Sequence, residues 1–308
     1  MARSERLTGV EEPLATDVRA LWERAEETDG VAAVSEAFAL ALGRAQDGVV
    51  HLLRRDDDGE LVGYAQVSSA GTADAVAELV VDPGARRSGH GRALLDAALA
   101  NGTRSVWAHG DLDAAGALAA AGGLERTRSL YRMTRRLTDA DATDPDLPAR
   151  YSVRGFHPGR DDETWVRLNA AAFVDHPEQG RLTLADLHER MEQDWFDPSG
   201  LLLVERDGRV VAFHWTKIEP EDLASHAPGM TGARQGSGEV YAVGVDPSEQ
   251  GRGLGGPVTG LGIAHLARQR LAEVELYVDG DNVRARRTYE RLGFTDAATD
   301  VQYSVPSR

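Results

Sequence analysis

The chain has 308 residues, 42% hydrophobic and 27% charged, which is a globular composition long enough for two domains with separate cores. A formal net charge of -16 argues against a nucleic-acid or anionic-membrane surface, and the lack of cysteine excludes disulfides, thiolate metal sites and a cysteine nucleophile. The charged start MARSERLTGVEE lacks the apolar core of a signal peptide, and no apolar run nears the roughly 18 residues of a membrane helix, so a cytoplasmic location is expected.

In chain order, AVSEAFALAL (33–42) reads as helix, with Glu36 an exposed helix carboxylate on its own merits. GVVHLLRRDDDGELVGYAQVS (48–68) has β-branched arms around an Asp-Gly turn and predicts a hairpin. AELVV (77–81) predicts a short buried strand, DPGARRSGHG (82–91) a turn, and GRALLDAALA (91–100) a helix. A second strand and helix follow in SVWAHGDLDAAGALAAAGGL (105–124). LTDADATDPDLPAR (137–150) is polar and proline-containing and reads as a linker.

The same order then recurs. GLLLVERDGRVVAFHWTKI (200–218) predicts a hairpin, EVYAVGV (239–245) a buried strand, DPSEQGRGLGG (246–256) a turn, and the stretch to Leu271 a helix. Asp82-Pro83, Gly89 and Gly91 match Asp246-Pro247, Gly253 and Gly255 at one offset of 164 residues (82 to 246, 89 to 253). SVWAHGDLDAAGALAAAGGL matches ELYVDGDNVRARRTYERLGF (275–294) at an offset of 170 (107 to 277). The second copy carries an extra polar loop over 219–238. A match of strand, turn, glycines and helix in order predicts a duplicated domain, with boundaries at 1–136 and 151–308 around a linker at 137–150.

Gly251, Gly253 and Gly256 fit G-x-G-x-x-G, the spacing of a dinucleotide-binding turn. In that turn the first glycine ends the strand directly, whereas VDPSEQ intervenes here, and Arg92 stands opposite Gly256 in the first copy. No Lys-Ser/Thr follows, so a Walker loop is excluded too. What recurs is Arg86-x-x-Gly89-x-Gly91 and Gln250-x-x-Gly253-x-Gly255. Small residues there let backbone N–H groups point together at a helix N-terminus, which suits a pyrophosphate; Arg252, and Arg86 or Arg87, can add charge. A plain strand-to-helix turn is the bland alternative, and its recurrence with matching flanks speaks against it.

This pattern resembles the Q/R-x-x-G-x-G/A signature of the GNAT superfamily of N-acetyltransferases. HPEQG (176–180), WFDP (195–198), FHWTK (213–217), GEVYAVGVDP (238–247) and LYVDGDNVRARRTYERLGF together resemble the mycothiol synthase family, over nearly the whole chain. The resemblance implies an α/β (α+β) fold of two tandem GNAT domains, each a mixed, mostly antiparallel sheet flanked by helices. It implies acetyl transfer from acetyl-CoA, without a metal, to the cysteinyl amine of Cys-GlcN-Ins, by a monomer with no nucleic-acid or membrane partner.

It further implies Glu239 as general base and Tyr289 as general acid, and Glu36, Glu178, Lys217, Glu239 and Tyr277 at the acceptor, with Glu36 reaching in from the first domain. For acetyl-CoA it implies Val243, Gly244 and Val245 on the pantetheine. Gln250, Gly251, Arg252, Gly253, Leu254, Gly255 and Gly256 would hold the pyrophosphate, and Asn282, Val283, Arg284, Ala285, Arg286 and Arg287 would line the exit side. The first-copy counterparts are Leu79, Val80, Val81, Arg87, Ser88, Gly89, His90, Gly91 and Arg92. Ala75 falls opposite Glu239, Ala119 opposite Tyr289 and Leu112 opposite Asn282, with Glu78 close to the base position but displaced. The first copy is therefore expected to be non-catalytic, though able to hold acetyl-CoA. His176, His214 and Trp215 are scattered single residues for which packing is expected, and no metal-ligand spacing occurs. Competing readings are a tandem acetyltransferase for another amine (an aminoglycoside or a protein N-terminus), a non-catalytic acyl-CoA sensor, and a nicotinamide oxidoreductase.

Overall fold

A computed structural model of the chain describes residues 3–43, 47–174, 177–224 and 234–306. It divides into two compact units: Met1–Tyr131 with Ala298–Arg308, and Arg132–Ala297.

Unit 1 contains β1 (Arg3–Leu7), α1 (Glu12–Asp29), α2 (Glu36–Ala41), β2 (Val50–Arg55), β3 (Leu61–Ser68), β4 (Val76–Val81), α3 (His90–Ala100), β5 (Ser105–Ala108), α4 (Asp113–Ala121) and the first half of β6 (Glu125–Arg136). α1 repeats apolar residues at helical spacing, so Ala15, Val18, Leu21 and Ala25 bury one stripe, and Gly30 ends the helix in the left-handed region. Strand pairing is antiparallel from β1 through β4 and parallel between β4 and β5. Alternation along the strands feeds two cores. Leu53, Tyr64 and Val80 pack with Leu21 of α1, while Ala65, Val67 and Val106 pack with Leu94 and Leu95 of α3.

Unit 2 contains the rest of β6, β7 (Tyr151–Gly155), α5 (Asp162–Ala172), α6 (Pro177–Gly180), α7 (Leu184–Met191), β8 (Leu201–Arg206), β9 (Arg209–Lys217), α8 (Pro220–Ala224), β10 (Ser237–Val245), α9 (Gly255–Arg268), β11 (Glu273–Asp279) and α10 (Val283–Arg291). The β8–β9 hairpin turns on Asp207 (φ 52°) and Gly208 (φ 78°), two successive left-handed residues that match the twist of the flanking strands. Pairing is again antiparallel up to β10 and parallel between β10 and β11. Trp165, Leu187, Phe213 and Trp215 form the core on one face, and Val211, Ala212, Val258 and Leu261 the core on the α9 face. The mixed, mostly antiparallel sheets flanked by helices are those expected.

Two findings depart from a simple head-to-tail arrangement. The last strand, β12 (Thr295–Ser304), pairs antiparallel with β5, from Val301↔Ala108 to Ser304↔Ser105, and so lies in unit 1. The end of β6 instead lies in unit 2, where Arg132 Nη1 donates to Glu275 Oε2 of β11 at 2.7 Å. β6 and β12 begin 170 residues apart (125 and 295), the offset of the second repeated segment, and each follows the last helix of its copy. Residues 137–150 are packed rather than free. Leu137 N–H donates to Ala272 O at 2.9 Å, Arg268 pairs with Asp144 at 2.8 Å, and Pro145 seats against Gly260, all within unit 2. Among the described residues no helix is long and apolar enough to cross a membrane.

Candidate active site

The centre of unit 2 is the point where two parallel strands part. β10 and β11 pair from Ser237↔Glu273 to Val240↔Leu276 and no further. Tyr241 is inserted as a β-bulge, after which β10 keeps its register with β9 alone, from Ala242↔Trp215 to Val245↔Ala212. Val243, Gly244 and Val245 thus pair with β9 on one edge and lie beyond the last β10–β11 pair on the other. Gly244 must be small, since a Cβ there would lie 2.5 Å from the Phe213 ring. In unit 1, β4 leaves β5 in the same way after Glu78↔Trp107, which frees Leu79, Val80 and Val81.

The glycine loops that follow are the same object built twice. Asp246 (φ -48°, ψ 130°) and Asp82 (φ -48°, ψ 127°) each accept a backbone N–H two residues on and open a short 3₁₀ turn. Gly251 and Arg87 are left-handed (φ 78° and 64°), as are Gly253 and Gly89 (φ 81° and 85°). A Cβ added at Gly251, Gly253, Gly255 or Gly256 would meet nothing within 4 Å, so the loop backbone and the start of α9 face open space. Buried Leu254 anchors the loop from beneath. At Gly91 a Cβ would meet Leu118 at 3.3 Å, a close approach of α3 to α4.

The signature side chain has a structural job. Gln250 Nε2 donates to Val245 O at 3.4 Å and Arg86 Nε donates to Val81 O at 3.2 Å, so in each copy it clasps the loop to the strand end. Arg86, one of the two first-copy arginines expected to add charge to the loop, is also held bidentate by Asp29 at 2.7 Å. Arg252 leans on Glu249 at 3.2 Å. Tyr151 Oη and Arg206 both donate to Glu249, and with Arg206's charge hold its carboxyl below the usual range.

Around the exit side, Asn282 Oδ1 accepts Ala285 N–H at 3.1 Å and caps α10. Arg284 donates to Gln250 Oε1 at 3.3 Å, Arg286 pairs with Asp296 at 2.8 Å, and Val283 is exposed while Arg287 lies one turn further on. In unit 1, His90 accepts from Arg54 at 3.3 Å, Ser88 lies exposed between the two left-handed residues, and Arg92 pairs with Asp96 at 2.8 Å.

Glu239 lies one turn of strand before the bulge, half-buried, directly between Lys217 of β9 and Glu275 of β11. With Arg132 on Glu275, the row places two neighbouring carboxylates, Glu239 and Glu275, between two cations, Lys217 and Arg132. Lys217 is only 12% exposed; its ammonium pairs with Glu219 at 2.8 Å and sits 5.2 Å from the Trp195 ring centroid. Tyr277, 44% exposed, shares the strand face of Glu275. Tyr289 of α10 is buried edge-on to Phe294, and burial pushes its phenol up to about 12, so it stays protonated at neutral pH.

Glu36 is the first residue of α2 in unit 1, and Glu178 falls in α6, but the Glu178 side chain and all of His176 lie outside the described residues. α6 is pinned by a reciprocal amide pair, in which Asn169 Nδ2 donates to Gln179 O at 2.7 Å and Gln179 Nε2 donates to Asn169 Oδ1 at 3.0 Å. His214 and Trp215 are core residues, as packing predicted. His214 donates to Val258 O at 2.9 Å, and burial depresses its pKa to about 4. Among the described residues no group of three His, Asp or Glu could hold a metal ion.

Strand register corrects one correspondence. β4 has no bulge, so ahead of Tyr241 the offset falls to 163 (76 to 239), and Val76, not Ala75, stands where Glu239 does. Ser68 then matches Lys217, and Glu78 matches Ala242. Glu78 is buried and occupied: Ser35 N–H donates to it at 2.8 Å and His109 Nε2 lies 3.4 Å away. His109 Nδ1 lies 3.1 Å from Asp300 of β12. Burial opposes charge on His109, but Asp300 and Glu78 outweigh it and push the imidazole up to about 10.

Comparison with known proteins places this geometry. Residues 165–294 match the acetyltransferase (GNAT) family and residues 47–132 the acetyltransferase (GNAT) domain. The chain is 48% identical over 301 residues to a mycothiol acetyltransferase of Thermomonospora curvata, covering 97% of this chain and 96% of that one. It is likewise 48% identical over 296 residues to a mycothiol acetyltransferase of Streptomyces coelicolor, covering 94% and 92%. Among solved structures, a tandem GNAT protein from the clavulanic acid biosynthesis pathway matches over 100% of both chains with a TM-score of 0.70 at 18% identity. A GCN5-related N-acetyltransferase from Sphaerobacter thermophilus matches over 99% of this chain and 96% of its own with a TM-score of 0.68 at 20% identity, and both likenesses speak to the fold.

Proposed function

The chain belongs to the mycothiol acetyltransferase family and is an acetyltransferase of two GNAT domains, and from that premise we propose that unit 2 acetylates the cysteinyl amine of Cys-GlcN-Ins from acetyl-CoA. The observation that carries this reading is the parting of β10 from β11 just after Glu239, beside a glycine loop with an open backbone face. A pantetheine arm entering as an extra strand along Val243 to Val245 would set its pyrophosphate on Gln250 to Gly256, at the N-terminus of α9.

A cysteinyl α-amine titrates near pH 8, so only a modest base is needed. In the proposed step Glu239 takes the amine proton, directly or through water, and the nitrogen forms its bond to the thioester carbonyl carbon. A backbone N–H of the parted strand stabilises the oxyanion. The carbon–sulfur bond then breaks, and Tyr289 gives its proton to the departing thiolate. Lys217, Tyr277 and Glu178 are assigned to the acceptor. Unit 1 keeps the loop but has Val76 and Ala119 in place of the base and acid, which supports a cofactor-holding or structural role for it.

Incubation with acetyl-CoA and Cys-GlcN-Ins, followed by loss of thioester absorbance, tests the reading. Glu239→Gln and Tyr289→Phe should each lower kcat on the order of 10²-fold, the usual range for a lost acid or base. Turnover with an aminoglycoside but not with Cys-GlcN-Ins would sink the acceptor assignment. Cofactor binding with no turnover of any amine would favour an acyl-CoA sensor.

A further inference from the structure

The acceptor assignment of Lys217 raises a physical question: a lysine carries a long, freely rotating stem, and a flexible ammonium is a poor ruler for placing a ligand. Four residues around it answer this. Lys217 ends β9, and its Nζ lies 5.2 Å from the Trp195 ring centroid and 5.9 Å from that of Tyr241. These two rings pack on each other at 4.9 Å, and Tyr241 also meets Trp215 edge-on at 5.1 Å. Arg190, near the end of α7, donates through Nε to Tyr241 Oη at 2.9 Å, and its Nη1 is tied to Asp186 O at 3.0 Å. Tyr241 is the bulged residue, and the bulge turns its ring onto the Trp195 and Trp215 side of the sheet, the side of Lys217 and Glu239.

We propose that Arg190, Tyr241 and Trp195 are positioning residues that hold the Lys217 ammonium in one place for the acceptor, and so set acceptor affinity without touching the reacting atoms. The inference rests on the reading of Lys217 as an acceptor contact. The ring faces attract the cation and the Arg190–Tyr241 hydrogen bond fixes the tilt of one ring, so Lys217 meets its ligand already ordered. Arg190 acts in this scheme through its Nε–H on the phenol oxygen, with Nη1 tied back to its own helix.

The test is steady-state kinetics on the full-length chain with acetyl-CoA and Cys-GlcN-Ins varied in turn. Tyr241→Phe keeps the ring and loses the hydrogen bond; it should raise the acceptor KM about fivefold to tenfold, leave kcat within about twofold, and leave the acetyl-CoA KM unchanged. Arg190→Gln should behave alike, and Trp195→Phe should stay nearer wild type than Trp195→Leu. In a Lys217→Ala background, Tyr241→Phe should add nothing, since the two act through one ammonium. An equal rise in that background, or an unchanged acceptor KM in both Tyr241→Phe and Arg190→Gln with wild-type thermal midpoints, overturns the proposal. If Lys217→Ala itself leaves the acceptor KM unchanged, the failure lies with the acceptor role of Lys217 and takes this inference with it.

Discussion

Gly253 and Gly89 do at residue scale what few other residues could. Each is left-handed (φ 81° and 85°), and each leaves a bare backbone where a pyrophosphate would approach. Gly253→Ala should cost about 1 kcal/mol of stability from the left-handed penalty alone. Its added methyl would stand in the open space of the loop, so the acetyl-CoA KM should rise at least several-fold; a variant with lower thermal midpoint and unchanged KM would show that the loop holds no cofactor. Arg87 is the converse case, a non-glycine at φ 64° where the second copy has Gly251. Arg87→Gly should be neutral to stabilising by up to about 1 kcal/mol in denaturant unfolding. The glycines were legible in the sequence because a positive φ restricts residue choice. The roles of Gln250 and Arg86 were not, since a side chain that bonds a strand carbonyl five residues back leaves no periodic trace.

At the scale of elements, the strands, hairpins and helices followed from apolar alternation and turn residues. Hidden from that reading was the bulge in β10. EVYAVGV alternates without a visible break, yet Tyr241 is an inserted residue, and it shifts every correspondence ahead of it by one. The placing of β6 and β12 was equally hidden, because the pattern of a strand does not say which sheet edge it joins. The fastening of β12 to unit 1 includes the buried ion cluster of Glu78, His109 and Asp300. Its pH dependence has a definite sign. The folded pKa of His109, about 10, exceeds the unfolded value near 6.5, so the cluster stabilises fully below about pH 6.5 and is lost as pH rises through about 10. Thermal midpoints taken from pH 6 to 10.5 should show a decline that His109→Gln abolishes. His109→Gln should also cost roughly 3 kcal/mol at neutral pH, because it strands buried Glu78 without its cation. A variant with a wild-type pH profile would rule the cluster out as the source.

For the whole molecule, the duplication seen in the sequence is present as two units with matched loops, but unit 1 is not a continuous piece of chain: it is closed by residues from Ala298 onward, after the whole of unit 2. Residues 1–136 end with unit 1 still lacking β12 and with the end of β6 lacking β11. That fragment should therefore show no cooperative thermal transition by circular dichroism. A version with residues 295–306 fused after a flexible linker should recover one. Cooperative melting of 1–136 alone would show that β12 is dispensable to unit 1.

The exchanged strand also orders events during protein synthesis. Ribosomes release a chain from its N-terminus, and a domain ordinarily closes as soon as its own residues are out. Here the half of the molecule made first cannot close until residues near 304 have emerged, while unit 2 is complete by Ala297. The nascent first half thus waits through translation of the second with a sheet edge unpaired at β5, the condition in which chaperone contact and aggregation compete with folding.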